Sequence, residues 1–122
     1  MSPILKTRAF SRLAAKFDIP DAALKKAVEE MRAGLIDANL GGNVYKKRVA
    51  VGNRGKSGGS RTIIATNLND RWYFLHCYLK KNQADLSPAD EEDFKALAHV
   101  LLSLSEAALR KVVLDGNLEE IP

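Results

Sequence analysis

The chain has 122 residues, 46% apolar and 28% charged, with a formal net charge of +4. That length sets the expectation of one domain, 1–122, large enough to bury a core without covalent staples. The single cysteine, Cys77, excludes an intrachain disulfide and any multi-cysteine metal centre, and no apolar run approaches the roughly 20 residues that span a bilayer.

Residues 3–9 alternate weakly and predict a first short strand. Phe10, Leu13, Ala14 and Phe17 then fall at i, i+3, i+4 and i+7, the stripe of an amphipathic helix. Asp18-Ile19-Pro20-Asp21 interrupts it. Pro20 beside an acid marks a restart. Leu24, Ala27, Val28 and Met31 carry the second helix, and Gly34 is its stop.

Residues 35–43 read as a loop from their turn chemistry. A strand follows over 44–51, rich in Val, Tyr and long basic side chains. Residues 52–60 contain four glycines and read as a connection. Residues 61–66 are a β-branched strand, 67–70 a hairpin turn, and 71–79 an aromatic strand. Three successive strands on short connections predict an antiparallel meander. Both faces of the aromatic strand are apolar, so it is expected to be central in the sheet.

Ser87 is a helix cap, Pro88 suits the first helical turn, and the acids at 90–93 suit the positive end of the helix dipole. Phe94, Leu97, Ala98, Leu101 and Leu102 form the apolar stripe. Residues 103–105 break the helix. A second piece spans 107–114 and ends at Gly116. Residues 118–121 are either a short strand or a frayed end. The helical C-terminal extension thus begins at about residue 87.

The charge is unevenly spread. Residues 1–40 carry +2, residues 41–81 carry +8, and residues 82–122 carry −6. A segment at +8 repels itself unless it faces water or an anion. The basic side chains in it are either a solvated face or a grip on nucleic acid, whose phosphates reward clustered Lys and Arg. Lys6, Arg8, Arg12 and Lys16 interrupt the apolar block that an export signal needs, so the expectation is a cytoplasmic protein with no membrane contact.

Several motifs are weighed and set aside. Ala50, Gly55, Lys56 and Ser57 fit a relaxed phosphate-loop spacing. Such a loop needs a helix after it, and here a β-branched strand follows. No His, Asp or Glu grouping has metal-ligand spacing, so neither metal nor cofactor is expected. Cys77 reads as a small buried side chain. His99 reads as structural, and so on balance does His76, although its strand keeps it in view.

Alternation places Lys46 and Arg48 on one face of their strand, with Tyr45, Lys47 and Val49 on the other. On the aromatic strand, strict alternation groups Trp72, Phe74, His76, Tyr78 and Lys80 on one face and Arg71, Tyr73, Leu75, Cys77, Leu79 and Lys81 on the other. A meander can bring Lys46, Arg48, Arg61 and Lys80 or Lys81 to one open patch. RNA carries its own nucleophile, the 2′-hydroxyl. A basic patch that stabilises the transition-state charge and manages two protons can cleave it. Phosphate contact alone requires less.

Residues 41–50, the run from Gly55 to Ile64, and the run from Trp72 to Asn82 together resemble the RelE/ParE/HigB superfamily of toxins from bacterial type II toxin–antitoxin systems. The likeness is to its RelE-like branch, with the glycine-lysine loop before the third strand, and covers about residues 41–98. It implies an α+β fold, a small antiparallel sheet with helices packed against it in the order β-α-α-β-β-β-α. It also implies a ribosome-dependent mRNA endoribonuclease that inhibits translation and is neutralised by a cognate antitoxin. Partners follow: a helix-turn-helix antitoxin, the ribosome and mRNA, with operator DNA reached only through the antitoxin. By resemblance, Lys46 and Arg48 are the basic pair of the second strand, and Arg61 is the third-strand arginine at the scissile phosphate. Lys81, or else Lys80, is the basic residue after the fourth strand, and Lys56 in the loop contacts RNA; Lys47 and Arg54 join the expected RNA contacts as members of the same basic segment. The chain departs from the pattern after Lys81, where an acidic helix and no C-terminal catalytic Tyr or His follow. His76 and Tyr78 are the candidate replacements. The alternatives are a ParE-like toxin acting on gyrase and a non-catalytic nucleic-acid-binding module.

Overall fold

Thr7 ends the first strand and starts the first helix. In the computed structural model, which describes residues 2–51, 59–79 and 85–122, the Thr7 hydroxyl accepts the Phe10 N–H at 3.1 Å. That bond caps an otherwise orphan donor. Strand β1 (Ile4–Thr7) therefore runs directly into α1 (Arg8–Lys16). The helix stops with Asp18 in the left-handed region, φ +57°. Ile19 N–H reaches the Ala14 carbonyl at 2.9 Å, and Asp18 N–H the Ala15 carbonyl at 3.4 Å. These two bonds make a Schellman ending. Helix α2 (Asp21–Arg32) ends the same way through Gly34.

The loop expected over 35–43 is in part a strand, β2 (Ala38–Gly41), paired antiparallel with β3 (Val44–Val49). Gly42 and Asn43 have φ of +59° and +64°. Two successive positive φ values in a two-residue loop give the twist that an antiparallel hairpin needs. The turn residues were visible; the strand before them was too short and too polar to stand out.

β4 (Ser60–Thr66) and β5 (Trp72–Leu79) complete the expected meander. Gly59 precedes β4, and a Cβ there would lie 2.2 Å from the Val49 carbonyl oxygen. Only glycine permits that backbone approach. The sheet order is β2-β3-β4-β5-β1-β6. β6 (Leu118–Ile121) is ordered at the outer edge against β1, not frayed. β1 lies parallel to β5, so one pair of an otherwise antiparallel sheet is parallel.

Helices cover both faces. Phe10, Leu24, Val28 and Met31 of α1 and α2 pack on Tyr45, Ile64, Trp72 and Phe74. On the other face, α3 (Pro88–Leu102) and α4 (Glu106–Leu114) pack on Leu5, Val44, Ile63, Tyr73 and Leu75. A strand buried on both faces loses the apolar-polar alternation, which is why β5 reads as a continuous apolar run. Ser87 and Asp90 form a reciprocal capping box at the start of α3. At its end the Tyr73 hydroxyl donates to the Leu101 carbonyl at 2.9 Å, and the buried Arg71 guanidinium donates to that of Leu104. The central strand thus ties down the helix that crosses it.

One irregularity decides which side chains meet. Ile63 opposes His76, but Ile64 opposes Phe74, so Leu75 is an extra residue, a β-bulge. The phase of β5 changes there. Trp72, Phe74, Cys77 and Leu79 face α1 and α2, whereas Tyr73, Leu75 and Tyr78 face α3 and α4. His76 stacks on Phe94 of α3. The strict alternation expected for this strand therefore holds through Leu75 and is wrong from His76 onward.

Candidate functional site

Directly opposed residues of an antiparallel pair share a face. Arg48 opposes Arg61, and Arg61 opposes Tyr78, which makes one row across β3, β4 and β5. Lys46, Ile63 and His76 make the next row. Five predicted site residues, Lys46, Arg48, Arg61, His76 and Tyr78, thus lie on one sheet face beside the start of α3. His76 and Tyr78 reach it only because of the bulge.

Lys47 does not lie there. It points to the α1/α2 face, is 4% exposed, and its Nζ lies 3.0 Å from Glu30 of α2. A buried lysine in an ion pair has no phosphate to touch, so the expectation of an RNA contact at Lys47 is corrected. Arg54, Lys56, Lys80 and Lys81 lie outside the described residues.

Two carboxylates that the sequence did not single out complete the face. Asp85 Oδ1 accepts from the Tyr78 hydroxyl at 3.0 Å and from Lys46 Nζ at 3.3 Å. Asp37 accepts from the Arg48 backbone N–H at 2.7 Å and from Arg48 Nε at 3.0 Å. Among the described residues no carboxylate pairs with Arg61. Asp37 comes from the turn before β2, and Asp85 lies just ahead of the capped end of α3. Neither position has a local motif that would announce it.

The surroundings set the protonation states. Burial raises the Tyr78 phenol to about 12, aided by the anion at Asp85 and opposed by Arg61. Tyr78 therefore keeps its proton at neutral pH and can donate a hydrogen bond. Burial lowers His76, with Asp90 pulling the other way. Its imidazole sits between Tyr78 and Phe94, at centroid distances of 5.9 and 5.5 Å. A neutral imidazole at neutral pH can accept a proton. Burial would raise Asp37, but the bonds from Arg48 outweigh it and hold the carboxyl low. The Leu86 N–H, Tyr78 and Lys46 likewise lower Asp85. Burial lifts the Cys77 thiol to about 12, so it is no nucleophile.

The larger described cavities, about 560, 470 and 490 Å³, surround β6 at the far side of the sheet. None is lined by the basic rows. A smaller one of about 180 Å³ is bordered by Asp37, Lys47 and Arg48. On the basic face Arg48 is exposed, Lys46, Arg61 and His76 are half-buried, and Tyr78 is buried. Among the described residues no cluster has the composition of a metal site.

The family model of the RelE toxin of the RelE/RelB toxin–antitoxin system matches residues 2–121. The chain belongs to the RelE toxin family. It is a toxin of a toxin–antitoxin system, and the family implies an antitoxin partner. The match extends beyond the 41–98 run that carried the resemblance, so it takes in the N-terminal helices and the acidic C-terminal helices too. No curated protein matches the chain. No described helix of this RelE-family toxin is long and apolar enough to cross a membrane.

Proposed function

We propose that this RelE-family toxin cleaves mRNA on the ribosome, with the RNA 2′-hydroxyl as nucleophile and the face of β3, β4 and β5 as the site. The observation that carries the reading is the pair of rows Arg48–Arg61–Tyr78 and Lys46–Ile63–His76. They gather cations, a hydrogen-bond donor and a proton acceptor on one sheet face.

The 2′-oxygen forms a bond to phosphorus as the 5′-oxygen leaves, and a 2′,3′-cyclic phosphate results. Arg61, in the centre of its row, stabilises the added negative charge on the phosphoryl oxygens. Lys46 and Arg48 hold the neighbouring backbone. His76, neutral at pH 7, takes the 2′-hydroxyl proton. The leaving oxygen needs a proton, and Lys81 or Lys80 supplies it in this scheme. Tyr78 donates a hydrogen bond to the phosphate. A helix-turn-helix antitoxin restrains the toxin by covering this surface and brings the complex to operator DNA, with the cytoplasm as the site of action.

The test is expression without the antitoxin, followed by mapping of mRNA 5′-ends and in vitro cleavage on purified ribosomes. The unmodified toxin is expected to stop growth and cut mRNA. Arg61→Ala is expected to lose about 100-fold to 1,000-fold in cleavage rate, the usual effect of removing one charge-stabilising donor, with its melting temperature unchanged. A folded Arg61→Ala protein that cleaves at full rate refutes the assignment. Growth arrest with intact mRNA and DNA damage supports action on gyrase instead. Salt-sensitive RNA binding without cleavage supports a binding module.

A further inference from the structure

One oxygen on the basic face gathers three donors. Asp85 Oδ1 accepts from the Leu86 N–H at 2.9 Å, the Tyr78 hydroxyl at 3.0 Å and Lys46 Nζ at 3.3 Å. Those groups come from the backbone ahead of α3, from β5, and from β3 two strands away. Several donors converging on one anionic oxygen is how proteins hold oxyanions. Here the anion is supplied by the chain itself.

The layering distinguishes an occupant from a support. A group that orients a catalytic side chain sits behind it and leaves its polar end open to substrate. The Asp85 side chain is 64% exposed, against 22% for Lys46, and Tyr78 is 4% exposed. Asp85 therefore lies on the solvent side of both. It uses the Nζ and the hydroxyl that an incoming phosphate would need. Asp37 holds Arg48 in the same manner, and Asp90 and Glu91 add negative field at His76 and Tyr78. Two of the three described cations in the rows are already paired with a carboxylate.

We infer that Asp85 is an internal stand-in for an RNA phosphate, seated between Lys46 and Tyr78, which a substrate phosphate must displace. The inference rests on the reading of this face as the RNA site. Its consequence is a toxin whose own acidic residue weakens its hold on polyanions. Substrate must supply enough other contacts, as a ribosome-bound mRNA does, to outcompete it.

The probe is inorganic pyrophosphate, titrated calorimetrically into the full chain. Asp85→Asn keeps the side-chain shape and an acceptor oxygen but removes the charge. Asp93→Asn makes the same charge change at an exposed position of α3. Asp85→Asn is expected to bind pyrophosphate about tenfold more tightly than the unmodified protein, the effect of removing one unit of repulsion within a few ångströms. Asp93→Asn is expected to stay within twofold. The Tyr78 phenol, followed by absorbance, is expected to titrate at lower pH in Asp85→Asn. Equal or weaker pyrophosphate binding by Asp85→Asn, including no detectable binding by either protein, overturns the inference, as does an unchanged Tyr78 titration. Cleavage on ribosomes separates the two readings. A gain in pyrophosphate affinity with no cleavage by either protein upholds the stand-in and refutes the nuclease. Cleavage by both with no gain for Asp85→Asn does the reverse.

Discussion

Replacing Lys47 with alanine separates a basic residue that folds the protein from those proposed to hold RNA. Lys47 Nζ lies 3.0 Å from Glu30, with side-chain exposures of 5% and 16%. Removing one partner of a buried ion pair costs about 3–5 kcal/mol, because the other charge stays in a poorly solvated place. Glu30 retains some access to water and a further interaction, which puts the expected cost below that range, about 2–3 kcal/mol. For a chain of this length that lowers the melting temperature by about 10 °C. Lys47→Met with Glu30→Leu removes both charges and fills the space, and is expected to recover most of the loss. RNA affinity, measured on protein confirmed as folded and below its melting point, is expected to stay within twofold for both variants. Lys46→Ala and Arg48→Ala, in contrast, are expected to weaken RNA binding and reduce its salt dependence. A Lys47→Ala protein that melts unchanged but binds RNA tenfold more weakly refutes the placement of Lys47 and the sheet phase behind it.

Asp37 and Asp85 both sit below the ordinary carboxylate pKa. Their stabilisation is therefore full above the unfolded value near pH 4 and disappears as pH falls through the folded values. Asp37→Asn is expected to lower stability at pH 7 and to flatten the acid limb of the stability profile; an unchanged acid limb in denaturant titrations contradicts this. Cys77, 1% exposed with its thiol raised to about 12, is expected to resist a thiol reagent at pH 8 until the protein unfolds. Rapid labelling of native protein would show that β5 is not buried. Deleting Leu75 is expected to leave a folded protein with the same pairing, at a cost of about 2–4 kcal/mol for one lost core leucine. Deleting Cys77 is expected to abolish folding, because it drives Tyr78 into the α1/α2 core, and melts with amide exchange on both proteins check the pair.

Features set within a few residues were legible in the sequence. The stop at Gly34, the cap at Ser87 and the break at residues 103–105 are all local backbone chemistry. β2 was not legible, because Ala-Asn-Leu-Gly has neither β-branching nor alternation and is held only by its partner β3. Alternation and a meander allowed Lys46, Arg48 and Arg61 to share a face, and the register of β3 on β4, which sequence does not show, puts them there. The same alternation set Lys47 apart, although basic composition alone had grouped it with the RNA contacts.

The phase of β5 lay beyond reach for a physical reason. A strand facing water on one side reveals a bulge as two apolar or two polar neighbours in sequence. β5 is covered on both sides, and Leu75 and Cys77 are both apolar on opposite faces. An extra residue leaves no mark in such a pattern. Yet it decides the chemistry. Without the change of phase, His76 and Tyr78 would lie with Trp72 and Phe74 beneath α1 and α2, and Arg61 would face a thiol. Tyr78 would then have no reach to Asp85. The bulge, with Leu75 packed on the α3 side, brings the Tyr78 hydroxyl and the His76 imidazole to the rows of cations.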